Sequence, residues 1–177
     1  MLFTCTLFIH EIGKPKHQFD WTGVRSHIKD TILRIAEYND VSSYFVGYDA
    51  HVSPQYDRAK WFMNNAETYE LKKLINYNNG AVKAYCFKSL LKRNDVELFD
   101  YIVQSYHDKT MVYTTSGCIG GEYTLFEFYI EEITPPHELG STAASYKFDE
   151  KEKAVLNELI RRYNTKEDLM YKLGFLK

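Results

Sequence analysis

An all-α fold, a short stack of antiparallel helices, is what this sequence predicts, and three observations predict it. Apolar residues recur at helical spacing in one segment after another between Val24 and Ile160. The breaks between the central segments are only two to four residues long, which forces successive helices to lie antiparallel. Leu71, Leu74 and Ile75 are echoed 27 or 28 positions later by Leu98, Ile102 and Val103, the period of a stacked helical pair. A chain of 177 residues with 45% hydrophobic content is the size of one domain with a real core.

The first helix is expected within "TGVRSHIKDTILRIAEYND". Val24, Ile28, Ile32 and Ile35, with Leu33 and Ala36, form one stripe, Arg25, Lys29 and Glu37 face away, and Asn39-Asp40 ends it. "VSSYFVGYDAHV" is β-branched and aromatic, and fits either an extended connector or a brief strand. "SPQYDRAKWFMNNA" starts with a capping serine, Ser53, and with Pro54 at the first helical position. "ETYELKKLINYNNG" follows as a helix through Leu71, Leu74 and Ile75, with Asn79-Gly80 read as its stop.

Next, "AVKAYCFKSLLKRND" places Val82, Tyr85, Cys86, Ser89 and Leu90 on one stripe, widened by Phe87 and Leu91, with Lys83, Lys88, Lys92 and Arg93 mostly opposite. Asn94-Asp95 breaks the pattern, and "VELFDYIVQSYHD" resumes it with Leu98, Tyr101 and Ile102. Around 112–118, "VYTTSGC" leans towards a small extended or β segment. Residues 125–133 fit a helix through Leu125, Phe128, Tyr129 and Ile133, or a strand through Phe126, Phe128 and Ile130. The helix is preferred because a second repeat needs one there. Pro135-Pro136 stops it, and 137–147 reads as a polar linker. A C-terminal helical pair over 149–174 closes the chain. Its first helix starts near Asp149, and its second starts at Thr165 with Asp168 three residues on and ends at Gly174.

The central stretch, "ELKKLINYNNGAVKAYCFKSLLKRNDVELFDYIVQSYHD", resembles a HEAT-like (armadillo-type) helical repeat: first helix, Asn-rich turn, second helix, Asn-Asp corner, next first helix. With its continuation into "VYTTSGCI" and "ITP", the order is similar to uncharacterised, often exported, bacterial repeat proteins. The resemblance covers roughly residues 53–135. It implies an α-α superhelical scaffold that offers a face to a partner, and it brings no catalytic residues. Only one complete repeat is visible, where about three make a stable solenoid, so the flanking helices must act as caps.

Composition narrows the function. A formal charge of -2 gives no field to attract nucleic acid or an anionic membrane. No stretch reaches membrane-spanning length. The aromatic share of 16%, with 15 Tyr and 11 Phe, suits a core that keeps hydroxyls near its surface, and equally a binding face. Residues 1–16 contain the apolar run Leu2–Ile9, which fits a buried first element or the remnant of a signal peptide beginning upstream. The first implies the cytoplasm and the second export.

The motifs that could carry chemistry are few. Ser89-Leu-Leu-Lys92 matches Ser-x-x-Lys, but with nine Ser and 16 Lys in the chain about one such match is expected by chance. "TTSGCIGGE", Thr114 to Glu122, sets Cys118 among glycines, where an exposed thiolate with His107 or His137 as base would make a cysteine-dependent hydrolase or transferase. That loop matches no phosphate-binding pattern, and no cofactor is expected. Cys5, Cys86 and Cys118 have no Cys-x-x-Cys spacing, and none of the six histidines stands three or four residues from another, so no metal ligand set is predicted. The preferred expectation is a non-catalytic interaction module that binds a protein or peptide partner. The cysteine enzyme is the alternative.

Overall fold

The computed structural model describes residues 19–95, 97–134 and 147–163. Within them the chain is a mixed α/β structure, which overturns the all-α expectation. The element order is α1 (Ser26–Tyr38), β1 (Val41–Val46), β2 (His51–Val52), α2 (Pro54–Asn65), α3 (Thr68–Leu74), α4 (Gly80–Lys92) and α5 (Leu98–Ser105). After these come β3 (Met111–Gly117), β4 (Ile119–Thr124), α6 (Leu125–Ile133) and α7 (Glu150–Arg162). The strands make one sheet in the order β2-β1-β3-β4. β1 and β3 run parallel, while β2 and β4 lie antiparallel to their neighbours.

The sheet escaped the local pattern because its central pairing is remote. Val41 lies opposite Thr114 and Ser42 opposite Thr115, and everything from β2 to α5 comes between them. The β-leaning run near 112–118 extends into a full hairpin, with Met111 opposite Thr124 and Ser116 opposite Ile119. Gly117 takes the left-handed turn conformation at φ 56°. "VSSYFVGYDAHV" is likewise a strand followed by a short returning strand, with Phe45 opposite Val52.

The HEAT-like superhelix fails at the same place. After α5 the chain enters the β3–β4 hairpin, where a repeat would supply its second helix. The preferred helix at 125–133 does form as α6, opened by a reciprocal cap in which Thr124 Oγ1 accepts from the Glu127 N–H and Glu127 returns the bond. It packs on α4, α5 and β4 and does not stack as a repeat. Leu71 and Leu74 of α3 and Leu98 and Ile102 of α5 are all fully buried, and both helices pack on α4. Their shared spacing reflects that common neighbour.

α4 is the centre of the molecule. Ala81, Val82, Ala84, Cys86, Phe87 and Leu90 are fully buried, and among α4's residues only Lys83, Lys88 and Lys92 keep substantial exposure. The single buried stripe read from the sequence is therefore too narrow: this helix is covered nearly all round. Asn79-Gly80 is its entrance, not the stop of α3. Asn79 Oδ1 accepts from the Val82 N–H at 3.0 Å, and its amide donates to Asn39 Oδ1 at 2.8 Å, tying α4 to the end of α1. Gly80 abuts β3 so closely that a Cβ there would lie 1.9 Å from the Met111 carbonyl oxygen.

Polar bonds lock the layers together. Asp40 accepts from Ser42 Oγ at 2.5 Å and from Thr115 Oγ1 at 3.0 Å, while its carbonyl accepts from Gln55 Nε2 at 2.9 Å. Tyr85, buried on α4, accepts the Ser42 N–H at 3.0 Å. Fully buried Glu70 accepts from Arg25 Nη2 at 2.7 Å and from the Glu67 N–H at 2.9 Å, joining the starts of α1 and α3. Several start and stop signals act as read: Ser53 Oγ caps α2 at Tyr56, Asn39 ends α1 in the left-handed conformation at φ 53°, and Asp149 opens α7 with a capping box. The first element at 1–16, most of the 137–147 linker and the second helix from Thr165 lie outside the described residues.

Candidate functional site

α1 and α2 lie side by side, and their outward faces enclose an open groove of about 380 Å³ lined by His27, Asp30, Thr31, Arg34, Arg58 and Trp61. Helical spacing explains why these residues share it. On α1, Ile28, Ile32 and Ile35 are buried, so His27, Asp30, Thr31 and Arg34 fall on the opposite side. On α2, Gln55, Ala59 and Phe62 are buried, which leaves Arg58 and Trp61 outward.

Aromatic contacts mark both ends. His27 meets the edge of Trp61 with ring centroids 6.0 Å apart, and the Arg58 guanidinium lies 6.0 Å from the centre of the Tyr38 ring. The start of α1 thus faces the end of α2, and the helices are antiparallel. From His27 to Arg34 the groove lining runs about 10 Å along α1, at 1.5 Å per helical residue, and the Tyr38 ring lies one turn beyond it. Beyond Tyr38, Tyr44 continues the aromatic surface, packed edge-on against both Phe45 and Tyr56. Trp61, Tyr38, Tyr44 and Phe45 are each 41–51% exposed, a large area of ring surface in water.

The charges are uneven. The chain has six arginines. Arg25 pairs with Glu70, Arg161 and Arg162 pair with Glu158, and Arg93 donates to the carbonyls of Met63 and Ala66. Among the described residues, Arg34 and Arg58 form no ion pair, and both line this groove. Arg58 donates to the neutral Gln55 Oε1 at 3.3 Å. Asp30, one turn before Arg34, is the single carboxylate of the lining.

The other candidates are placed as follows. Cys118 is exposed at the turn between β3 and β4, and His107 is exposed just after α5. They stand at opposite ends of β3, roughly 20 Å apart along a seven-residue strand. No dyad joins them, and His137 lies outside the described residues. The histidine at Cys118's end of the sheet is His51, which sequence spacing did not single out. The Gly47 N–H donates to the Gly117 carbonyl at 2.9 Å and joins the two hairpin ends, while His51 Nδ1 bonds Asp49 Oδ1 at 2.8 Å. That bond holds the Asp49 carboxyl below its usual range.

Ser89 and Lys92 do not form a nucleophile and base. Ser89 is buried with its Oγ unpartnered among the described residues, and Lys92 is exposed. Cys86 is fully buried, and burial pushes its thiol well up. The basic set of α4 is dispersed: Lys83 pairs with Asp108, Lys88 with Glu132, and Arg93 with backbone.

A polar cleft beside Lys83, Asp108, Tyr101, Ser105 and Tyr129 holds about 50 Å³, far below the roughly 300 Å³ at which ligand sites begin. Burial raises both of its tyrosines, which therefore stay protonated at neutral pH. Among the described residues no group of three or more His, Cys, Asp or Glu could hold a metal ion, and no helix is long and apolar enough to cross a membrane.

The groove itself was missed because its residues read as an ordinary solvated face. The signal that could have found it is the presence of Trp61 and Tyr38 on sides of α2 and α1 turned away from the buried residues. In comparisons with known proteins, no family model, curated protein or solved structure matched the chain.

Proposed function

We propose that the protein is a non-catalytic binding module that takes a protein or peptide partner in the groove between α1 and α2. One observation carries this reading. Arg34 and Arg58, two of the three arginines that have no carboxylate partner among the described residues, share one groove with an exposed tryptophan, and Trp and Arg are the residues most enriched where binding energy concentrates. An open groove bounded by rings along its length suits an extended chain, whereas small ligands favour enclosed pockets. Screening a peptide array with the purified protein and mapping hits by NMR shifts tests it. Hits should perturb His27, Arg34, Arg58 and Trp61, and Trp61→Ala should weaken them at least tenfold. Hits that map elsewhere, or that survive Trp61→Ala, sink the reading.

A cysteine-dependent hydrolase or transferase is supported by one observation, the Asp49-held His51 on the hairpin end that joins Cys118's hairpin. Its test is the pH dependence of Cys118 alkylation. A thiol activated by His51 reacts with a rate already at plateau near neutral pH. An ordinary exposed thiol gains rate up to about pH 8.5.

A further inference from the structure

We infer that the occupant of the α1–α2 groove is an acidic chain segment carrying two neighbouring carboxylates beside an aromatic or branched apolar side chain. The inference rests on the binding-module reading and names the chemistry of its ligand. Its first support is charge. The lining presents two guanidinium groups against one carboxylate. Elsewhere in the described structure arginines are matched with carboxylates or with carbonyls. Each guanidinium has five N–H donors in a planar fork, and the fork fits a carboxylate with two parallel bonds. Arg58 uses one N–H on Gln55 and keeps the others.

The second support is preorganisation. The Arg58 guanidinium rests over the Tyr38 ring, and Trp61 stands against the His27 edge. Ordering these side chains is thereby part of folding, and less entropy is lost when a ligand arrives. The exposed Trp61 indole offers the apolar contact, and the two arginines offer the polar ones.

The third support is length. The lining spans about 10 Å along α1 from His27 to Arg34 and holds some three residues of extended chain at 3.3 Å each. Such a segment reaches from Trp61 to both arginines. A single small acid would meet one of them and leave the rest of the groove wet.

Asp30 is the feature that opposes an acidic ligand, and it makes the inference sharp. It sits one turn from Arg34 in the same lining, so its charge repels a bound carboxylate. Its removal should help an acidic ligand and harm a basic one.

The test is fluorescence anisotropy at low salt with three labelled peptides identical except at two adjacent positions, which are Glu-Glu, Gln-Gln or Lys-Lys beside one Phe. The expected result is that the Glu-Glu peptide binds about tenfold more tightly than the Gln-Gln one, the size of one charge-assisted contact. The Lys-Lys peptide should bind more weakly than either. Arg34→Ala and Arg58→Ala should each lower the Glu-over-Gln preference about threefold or more, Arg34→Lys should restore part of it, and Asp30→Asn should raise Glu-Glu affinity. Equal binding of the Glu-Glu and Gln-Gln peptides overturns the inference, as does a preference untouched by both arginine variants. In those cases groove binding that still needs Trp61 leaves the module reading standing. An oligonucleotide of matched charge that displaces the Glu-Glu peptide more effectively than unlabelled peptide also overturns it, because the groove would then read phosphate. Binding that survives Trp61→Ala defeats the module reading itself.

Discussion

α4 and the paired outer faces of α1 and α2 contain similar residue types and use them in opposite ways. On α4, Phe87 stacks face to face on Tyr129 at 3.8 Å inside the core, and Lys83 and Lys88 find carboxylates. On the α1–α2 face, Trp61 and Tyr38 are about half exposed, and among the described residues Arg34 and Arg58 have no carboxylate. The difference teaches where folding has used its residues and where it has left them available. Perturbing α4 should change stability, and perturbing the groove should change binding with stability nearly intact.

The largest effect expected is at Gly80. A Cβ there would meet the Met111 carbonyl at 1.9 Å, and backbone on both sides must move to relieve it. Gly80→Ala should cost about 3 kcal/mol, at the upper end of overpacking penalties, measured as a drop in the urea midpoint. An unchanged midpoint would mean that α4 is not wedged on β3.

Next comes Arg25, which holds the buried Glu70. Burial on its own would raise the Glu70 carboxyl, but the bonds from Arg25 and from the backbone N–H groups of Glu67 and Arg25 outweigh it and hold the carboxyl below its usual range. A depressed carboxylate stabilises the fold above its unfolded value, near pH 4.3, and that stability is lost as pH falls through the folded value. Arg25→Ala should lower the urea midpoint near neutral pH, by less than loss of a fully buried pair because Arg25 is partly exposed. The wild-type advantage over Glu70→Gln should shrink below about pH 4. A stability difference constant from pH 7 to pH 3 would contradict that sign.

Ser89 gives a smaller effect of opposite direction. Its buried Oγ has no partner among the described residues, so Ser89→Ala removes an uncompensated hydroxyl. Thermal unfolding should show stability unchanged or raised by up to about 1 kcal/mol. A loss above that would reveal a bond that Ser89 makes. Smallest of all, Arg34→Ala and Trp61→Ala should each shift stability by less than about 0.5 kcal/mol. A large loss from either would erase the contrast between the two regions and return the groove to a structural role.

Much of the helical layout was legible from single residues. Ser53-Pro54, Asn39 and Asp149 mark ends that the structure uses, and Ile28, Ile32 and Ile35 of α1 and Leu98 and Ile102 of α5 are buried as spaced, while Leu33 of the same α1 stripe is exposed. Asn79-Gly80 was legible as punctuation but misassigned, because the reason for Gly80 is a strand carbonyl more than thirty residues away. The β1–β3 pairing left no trace in local periodicity, and a repeat was inferred where the chain makes a hairpin. The candidate site was less legible still. Cys118 and His107 looked like partners at a distance in sequence, and β3 holds them apart. Arg34 and Arg58 carried no signal in the sequence that would bring them together, and the structure sets both in one groove.

The sequence alone determined what local physics controls: most helix starts and stops, and which faces are apolar. Those depend on spacing of 3.6 residues and on caps within three residues of an end. Tertiary structure decided that β1 and β3 meet, that Gly80 has to lack a side chain, and that two outward helical faces close into one groove. Each of these is a contact between segments far apart in the chain, and its energy appears only when both are in place.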